Sequence, residues 1–246
     1  MVNLLICGIG GKMGATLLEL LRCDTQAKAV CGVDIRTPEN TTIPVYKSFG
    51  EVKEKVDVII DFSSPAVLED ELEWAIKNNT PVVLGSTGFS EEQLKYIENS
   101  SKKVAVFKTA NFSLGVNLLM KLVREAAEVL GDKFDIEIIE KHHNLKADAP
   151  SGTALMLAES ANVQNKDYLY GRDKSSGKRG KEIGIHAVRG GTIVGEHEVM
   201  FAGEDEIVTL SHSARSKKVF AAGAIKAAIF LAGKPAGKYD MQDIIE

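Results

Sequence analysis

The chain has few cysteines, no surplus of positive charge and no long apolar run. Its three cysteines, Cys7, Cys23 and Cys31, form no CxxC pair, and an odd count leaves one thiol unpaired in any intramolecular disulfide scheme. Reduced cysteines and a cytoplasmic location are therefore the expectation. Basic residues number 30 against 34 acidic ones, a formal net charge of -4, which argues against a nucleic acid or a membrane surface as main partner, because either calls for a basic face. The apolar start, Val2 to Cys7, is too short for a membrane span, lacks a basic leader and runs directly into glycines, so it reads as part of the fold. Internal repeats and low-complexity tracts are absent. The one locally basic stretch, Lys166 to Lys181, holds Ser175, Ser176, Gly177 and Gly180 without an apolar repeat; it reads as a mobile loop, with substrate capture as the second reading.

What is present is an ordinary globular composition, 44% hydrophobic and 26% charged over 246 residues, enough for one large domain or two modest ones. Val2 to Cys7 predicts a strand, followed by a glycine turn and a helix carrying Met13, Leu17, Leu18 and Leu21. Lys28 to Asp34, Val56 to Asp61, Pro81 to Gly85 and Val104 to Phe107 predict further strands that are apolar on both faces. Helices fall between them, one with Leu68, Leu72 and Ile76 along a face and one around Leu94 to Ile97. Strand and helix alternation implies a Rossmann-like, doubly wound parallel sheet.

The pattern changes after Asn111. Leu118, Leu119, Leu122, Val123, Ala126 and Leu130 mark an amphipathic helix, Phe134 to Glu140 a strand and Thr153 to Ala161 a second helix. From Glu182 to Ser213 the chain turns to strands, with hairpin signals at Gly190-Gly191 and at Ala202 to Asp205. The expectation is a second α+β domain with a mixed, largely antiparallel sheet, 182–213 forming an antiparallel meander. Such a meander needs its open face covered, and pairing with a copy of itself would do so, which predicts a homo-oligomer. The last helix, Val219 to Leu231, is expected to return to the first domain.

The first turn reads Gly8-Ile9-Gly10-Gly11-Lys12-Met13-Gly14. Its spacing is G-x-x-G-x-x-G, through Gly8, Gly11 and Gly14, with Met13 where the strict dinucleotide fingerprint has its last glycine. Glycine suits a turn whose backbone must approach a pyrophosphate at a helix N-terminus; the competing reading is a helix-entry turn without a ligand. Asp34 stands at the end of the second strand, where an acidic side chain would accept hydrogen bonds from a ribose and favour NADH. Lys12 and Arg36 lie close enough in sequence to meet a 2'-phosphate, so both NADH and NADPH are expected. The loops Phe62-Ser63-Ser64-Pro65 and Gly85-Ser86-Thr87-Gly88 follow strands of the same sheet and are expected near the nicotinamide and its ribose, unless they are ordinary turns.

The densest chemistry is Glu140 to Thr153. Ser151, Gly152 and Thr153 open a helix, so their amides and hydroxyls can hold a carboxylate, and Lys146 supplies a cation. A histidine exchanges protons near neutrality. His142 and His143 would point to opposite sides if the strand ran through both. Surface histidines and a zinc site are the competing readings, but His186, His197 and His212 sit on separate strands without ligand spacing, and no metal is expected.

The run Glu140 to Ala154, EKHHNLKADAPSGTA, resembles the signature of the dihydrodipicolinate reductase family. Gly8 to Gly14, Asp61 to Ser63 (DFS), Gly85 to Gly88 (GSTG), Ala110 to Asn117 (ANFSLGVN), Val194 to His197 (VGEH) and the tail Phe220 to Ile245 follow in the family's order, so the resemblance spans the chain. Many relatives carry threonine where this chain has Ser86. The resemblance implies a nucleotide-binding domain, residues 1–112 with 217–246, interrupted by a substrate and tetramerisation domain, residues 113–216. It further implies reduction of a cyclic imine dicarboxylate by NADH or NADPH in lysine and diaminopimelate biosynthesis. His142 would be the general acid, Lys146 would bind or polarise the substrate, and His143, Ser151, Gly152 and Thr153 would hold its carboxylates; Ala110, Asn111 and Phe112 would join the cofactor-binding set. Two other classes remain open from the residues alone: another two-domain dehydrogenase, such as one with a cysteine nucleophile, and a nucleotide-sensing protein without catalysis. None of the three cysteines is placed for the first, and the second has little use for His142 with Lys146.

Overall fold

The computed structural model describes residues 1–39 and 41–245. The chain runs β1 (Val2–Cys7), α1 (Lys12–Leu21), β2 (Ala27–Val33), β3 (Val45–Tyr46), β4 (Val58–Asp61), α2 (Leu68–Asn78), β5 (Val82–Leu84), α3 (Glu91–Ser101) and β6 (Ala105–Lys108). It continues with α4 (Leu114–Leu130), β7 (Asp135–His142), α5 (Gly152–Ala161), β8 (Tyr168–Tyr170), β9 (Ile183–Arg189), β10 (Gly195–Ala202) and β11 (Ile207–Ala214), and returns through α6 (Lys218–Leu231) to β12 (Gly237–Tyr239). It divides into two compact units, Met1–Phe112 with Lys218–Glu246, and Ser113–Lys217, so Lys217 groups with the second. No helix among the described residues is long and apolar enough to cross a membrane.

The first unit is built on a seven-stranded sheet in the order β12-β6-β5-β4-β1-β2-β3, parallel throughout. The short apolar runs form its centre because a parallel strand is covered on both faces; Leu4, Leu5, Ile6, Ile59, Ile60 and Val83 have no exposed surface. Local signals set the helix ends. Ser90 and Gln93 make a reciprocal capping box at the start of α3, and Asn79 in the left-handed region closes α2. The strand order reverses between β1 and β4, and in sheets of this kind ligands lie beyond the carboxyl ends of the strands at such a point. The returning α6 packs on α1, β4 and β5, as its apolar sequence predicts.

Helix α2 departs from the expected stripe. Leu68, Glu71, Leu72 and Ala75 are buried while Ile76 is only partly so, which carries a carboxylic acid into the core. Counting apolar letters alone turns the helix slightly away from its real inner face.

The second unit carries a five-stranded mixed sheet in the order β11-β10-β7-β9-β8. Its antiparallel ladders, β7 with β10 and β10 with β11, are longer than its parallel ones, β7 with β9 and β8 with β9. Helices α4 and α5 supply Leu119, Val123, Leu157 and Ala158 to a core with Ile136, Ile138, Val199 and Phe201. The expected meander over 182–213 is not formed. Only β10 and β11 make a hairpin, closed by Gly203 donating to the Glu206 carbonyl at 2.8 Å, whereas β7 lies between β9 and β10. Gly190-Gly191 therefore begins a crossover, because β7, buried on alternate positions, is the better partner for both neighbours. The basic stretch also differs from a plain loop. It contains β8, and Arg179 is tied down by Glu137, Asp135 and the carbonyls of Ile136 and Glu182.

Candidate functional site

In the first unit, the ends of β1, β2 and β4 surround a cleft of about 400 Å³ lined by Gly8, Gly11, Asp34, Arg36, Lys47, Phe62 and Ser63 among others. Gly8 has φ +80°, and a Cβ there would fall 2.7 Å from the Phe62 carbonyl oxygen. At Gly14 a Cβ would meet the Ile9 and Gly8 carbonyls at 2.5 and 2.6 Å, so only glycine lets α1 start this close to the turn. Gly10, outside the G-x-x-G-x-x-G spacing, is equally confined: its amide donates to Asp34 Oδ2 at 2.8 Å, and a Cβ would strike the Arg36 carbonyl. Asp34 thus holds the glycine turn with one oxygen and accepts the Arg36 amide with the other at 2.8 Å. These tight backbone approaches form the cradle that a pyrophosphate needs, so the residues present fit a dinucleotide.

Phe62 packs its ring on Gly85, where a Cβ would come within 2.5 Å, and lies 5.6 Å from the Phe112 ring. Three predicted positions thereby meet. Ser63 donates its amide to Asp61 Oδ1 at 2.8 Å, and its hydroxyl bonds the same oxygen. Ser63 and Ser64 are exposed, as are Lys12, Arg36, Thr87 and Ala110, whereas Asn111 is buried; Met13 and Ser86 are partly buried. Lys47, which lines the cleft beside Arg36 and bonds the Ile35 carbonyl, was not anticipated: it follows an edge strand too short to read from sequence.

Beneath this cleft Cys7, Asp61 and Glu71 come together, their ligand atoms within 4.8 Å of one another. Burial, followed by the charges of Glu71 and Asp61, pushes the Cys7 thiol well up; burial and then Asp61 push Glu71 well above the carboxylate range. Burial also raises Asp61, against hydrogen bonds from Ser63. A thiol and a neutral acid are poor nucleophile and ligand respectively, so this group is a core element rather than a reactive one.

In the second unit the alternation of β7 directs Ile136, Ile138, Glu140 and His142 to the buried side, and that of β10 does the same for Gly195, His197 and Val199. The strand stops at His142, leaving His143 partly exposed at the start of the loop. Glu140 has no exposed side-chain surface. Its Oε2 accepts from His142 Nδ1 at 2.6 Å, and its Oε1 from the Ser151 amide at 2.9 Å. Arg189 binds both oxygens, each at 2.8 Å. Burial alone would raise this carboxyl, but Arg189, His142 and the Ser151 amide together hold it below its ordinary value.

Ser151 caps α5 through its hydroxyl, which accepts the Ala154 amide at 3.2 Å and lies 3.1 Å from His197 Nε2. Its amide and hydroxyl are thus engaged within the protein, while Gly152 is exposed and Thr153 partly so on the same first turn. The loop between carries Lys146, whose ammonium sits 2.9 Å from Asp148 and holds that carboxyl below the usual range. The Ala149-Pro150 peptide is cis. His143 Nδ1 is buried without a hydrogen bond among the described residues. Burial, then the neighbouring His142, pushes His197 down to about 4. Its ring meets His142 edge-on at 5.1 Å. The histidines share no metal-ligand geometry among the described residues, where the single such group is Cys7, Asp61 and Glu71.

The structure therefore groups His142, His143, Lys146, Ser151, Gly152 and Thr153 around one loop and helix start, with Glu140, Arg189, Gly195 and His197 added. Glu140 was legible as a charged residue at a core-facing strand position. Arg189 and His197 were not, since their roles follow from the ladder pairing of His142 with Arg189 and of Glu140 with His197.

Two family models match the chain: dihydrodipicolinate reductase, N-terminus, over residues 2–112, and dihydrodipicolinate reductase, C-terminus, over 115–245. A protein named 4-hydroxy-tetrahydrodipicolinate reductase from Caldanaerobacter subterraneus subsp. tengcongensis is 50% identical, covering 100% of this chain and 99% of its own. One of the same name from Clostridium tetani is 43% identical over 98% of this chain and 96% of its own. The solved structure of a dipicolinate-bound dihydrodipicolinate reductase from Paenisporosarcina sp. TG-14 superposes over 100% of both chains with a TM-score of 0.83 at 27% identity. Matched over both halves and half identical to a full-length relative, the chain belongs to the dihydrodipicolinate reductase family.

Proposed function

We propose that the chain reduces 4-hydroxy-tetrahydrodipicolinate, by way of dihydrodipicolinate, to tetrahydrodipicolinate on the route to diaminopimelate and lysine. The observation that carries this reading is the loop cluster of the second unit: an imidazole anchored through Nδ1, an ammonium and an open helix N-terminus within twelve residues, His142 to Thr153. A small dicarboxylate needs this combination. Ser151, Gly152 and Thr153 at the start of α5 meet one carboxylate, His143, partly exposed at the head of the loop, meets the other, and Lys146 exchanges Asp148 for the substrate.

When bound, reduced nicotinamide supplies a hydride. Hydride addition pushes electron density onto the neighbouring carbon and nitrogen, where a cation and a proton donor lower the barrier. His142 gives that proton and Lys146 stabilises the developing charge. The glycine turn Gly8 to Gly14 holds the pyrophosphate, Asp34 faces a ribose, and Phe62, Ser63, Gly85, Ser86, Thr87, Ala110, Asn111 and Phe112 form the nicotinamide end. Arg36, Lys12 and Lys47 accommodate a 2'-phosphate, so both NADH and NADPH serve. The first unit is the dinucleotide domain and the second binds substrate and joins copies into a homotetramer, for which the exposed Tyr170, Val188 and Ile207 on its strands offer apolar surface. Reduced cysteines fit work in the cytoplasm. A cysteine nucleophile has no support, because Cys7 and Cys31 are buried with raised thiols and Cys23 follows the end of α1 opposite to the glycine turn.

The test is loss of reduced-nicotinamide absorbance on adding 4-hydroxy-tetrahydrodipicolinate to the purified protein. Turnover with this compound is expected; absorbance loss with simple aldehydes or keto acids instead would overturn the assignment.

A further inference from the structure

Four donors converge on the two oxygens of Glu140: His142 Nδ1 and one Arg189 nitrogen on Oε2, the Ser151 amide and the other Arg189 nitrogen on Oε1. A carboxylate so engaged can only accept, so the proton between Glu140 and His142 belongs to Nδ1. The neutral ring is then bare at Nε2, and the proton that distinguishes imidazolium from imidazole sits on Nε2. That edge of the ring faces Gly195, where a Cβ would lie 3.1 Å from Nε2 and 3.5 Å from Cδ2, so the glycine of the VGEH run keeps it uncrowded. Nε2 has no hydrogen bond among the described residues and is not sealed in the core. Glu140 also joins the imidazole to the first turn of α5 by hydrogen bonds at both ends, through His142 Nδ1 and the Ser151 amide, beside the looser route through the His197 ring.

We propose that Glu140, clamped by Arg189, is a positioning residue that confines the transferable proton of His142 to Nε2 and ties that nitrogen to the anion-holding turn of α5; this rests on His142 being the proton donor. In the reaction the substrate first loses water to give dihydrodipicolinate, which then gains a hydride from the reduced nicotinamide and one proton from Nε2. His142 is left neutral with its Nδ1–H still bonded to Glu140, and it recovers a proton from solvent. Among the described residues, Arg189 on β9 shares Glu140 with the ring, His197 on β10 meets the ring edge-on, and the loop that follows carries His143 and the Lys146–Asp148 pair. His197 is kept neutral by burial, so it adds no competing charge. Among the described residues Glu140 alone bonds Nδ1.

The ¹⁵N resonances of His142, assigned by their loss in His142→Gln, read the tautomer in the unaltered protein. A protonated Nδ1 and an unprotonated Nε2 are expected in the neutral ring; the reverse assignment overturns the proposal, whether or not any variant folds. Kinetics with 4-hydroxy-tetrahydrodipicolinate then test its consequence. Glu140→Gln should lower kcat by about 10²-fold, the scale of general acid catalysis, with little change in KM. In Glu140→Gln the ¹⁵N spectrum should show the ring proton no longer confined to Nδ1, which a purely structural defect would not produce. In a His142→Gln background the same substitution should cost almost nothing more. If His142→Gln retains full turnover, the donor assignment falls. If His142→Gln is impaired while Glu140→Gln is active, or costs the same factor in both backgrounds, the positioning role falls.

Discussion

Replacing Glu71 with methionine should stabilise the first unit by an amount that grows with pH. The Glu71 side chain is fully buried, neither carboxylate oxygen has a hydrogen bond among the described residues, and Leu68, Leu72 and Ala75 share its core-facing helix positions. Burial first, and the nearby Asp61 second, raise it well above the ordinary carboxylate value. Below the unfolded value of about 4.3 both states carry the proton and the group contributes no pH dependence. Above it the unfolded chain releases the proton while the folded chain keeps it. The folded state then loses about 1.4 kcal/mol per pH unit until the pH reaches the folded value. Methionine has nearly the same length and no charge, so it removes this slope without opening a cavity. With a urea dependence of about 2 kcal/mol per molar, the midpoint gap between variant and parent should widen by about 0.7 M per pH unit. Trp74, the one tryptophan, sits three residues along the same helix and 6.1 Å from Phe49, so its fluorescence reports unfolding of this unit. Parallel midpoint curves for variant and parent between pH 5 and 7 would refute a neutral Glu71.

His142→Gln should reduce kcat by about 10²-fold or more with a smaller change in KM, whereas Lys146→Ala should damage both, as measured by steady-state kinetics. Arg36→Ala should raise KM for NADPH by about tenfold, the worth of a charged hydrogen bond, and leave NADH nearly unaffected; equal effects would remove Arg36 from phosphate recognition. Under native conditions a thiol reagent should modify one cysteine per chain, the exposed Cys23, because Cys7 is buried and burial pushes Cys31 up to about 12. Light scattering should give four times the 26.6 kDa chain mass at micromolar concentration; a monomer would contradict assembly through the second unit.

Much of the fold is local and was readable as such. Buried parallel strands show as continuous apolar runs, and the glycine turn follows the first of them because a Cβ at Gly8 or Gly14 would strike backbone. Serines at helix starts mark α3, α4 and α5. The donors of the loop from His142 to Thr153 were legible as one cluster because they adjoin in the chain. Strand neighbours were not. The expected meander failed because each strand's partner is chosen by which faces can be buried together, and β7 entered between β9 and β10.

That insertion decided the chemistry of the second unit. Residues 11, 46 and 49 positions apart meet within hydrogen-bond distance around Glu140 and Ser151. The sequence by itself determined the longer buried strands and the glycine turn, and supplied an imidazole, a cation and a helix start close together in the chain. Only the tertiary structure decided that Glu140 meets His142 and Arg189, that His197 backs Ser151, and that Glu71 enters the core. The physical reason is that ladder pairing and helix rotation are set by the total area buried, a sum over distant residues that no local spacing encodes.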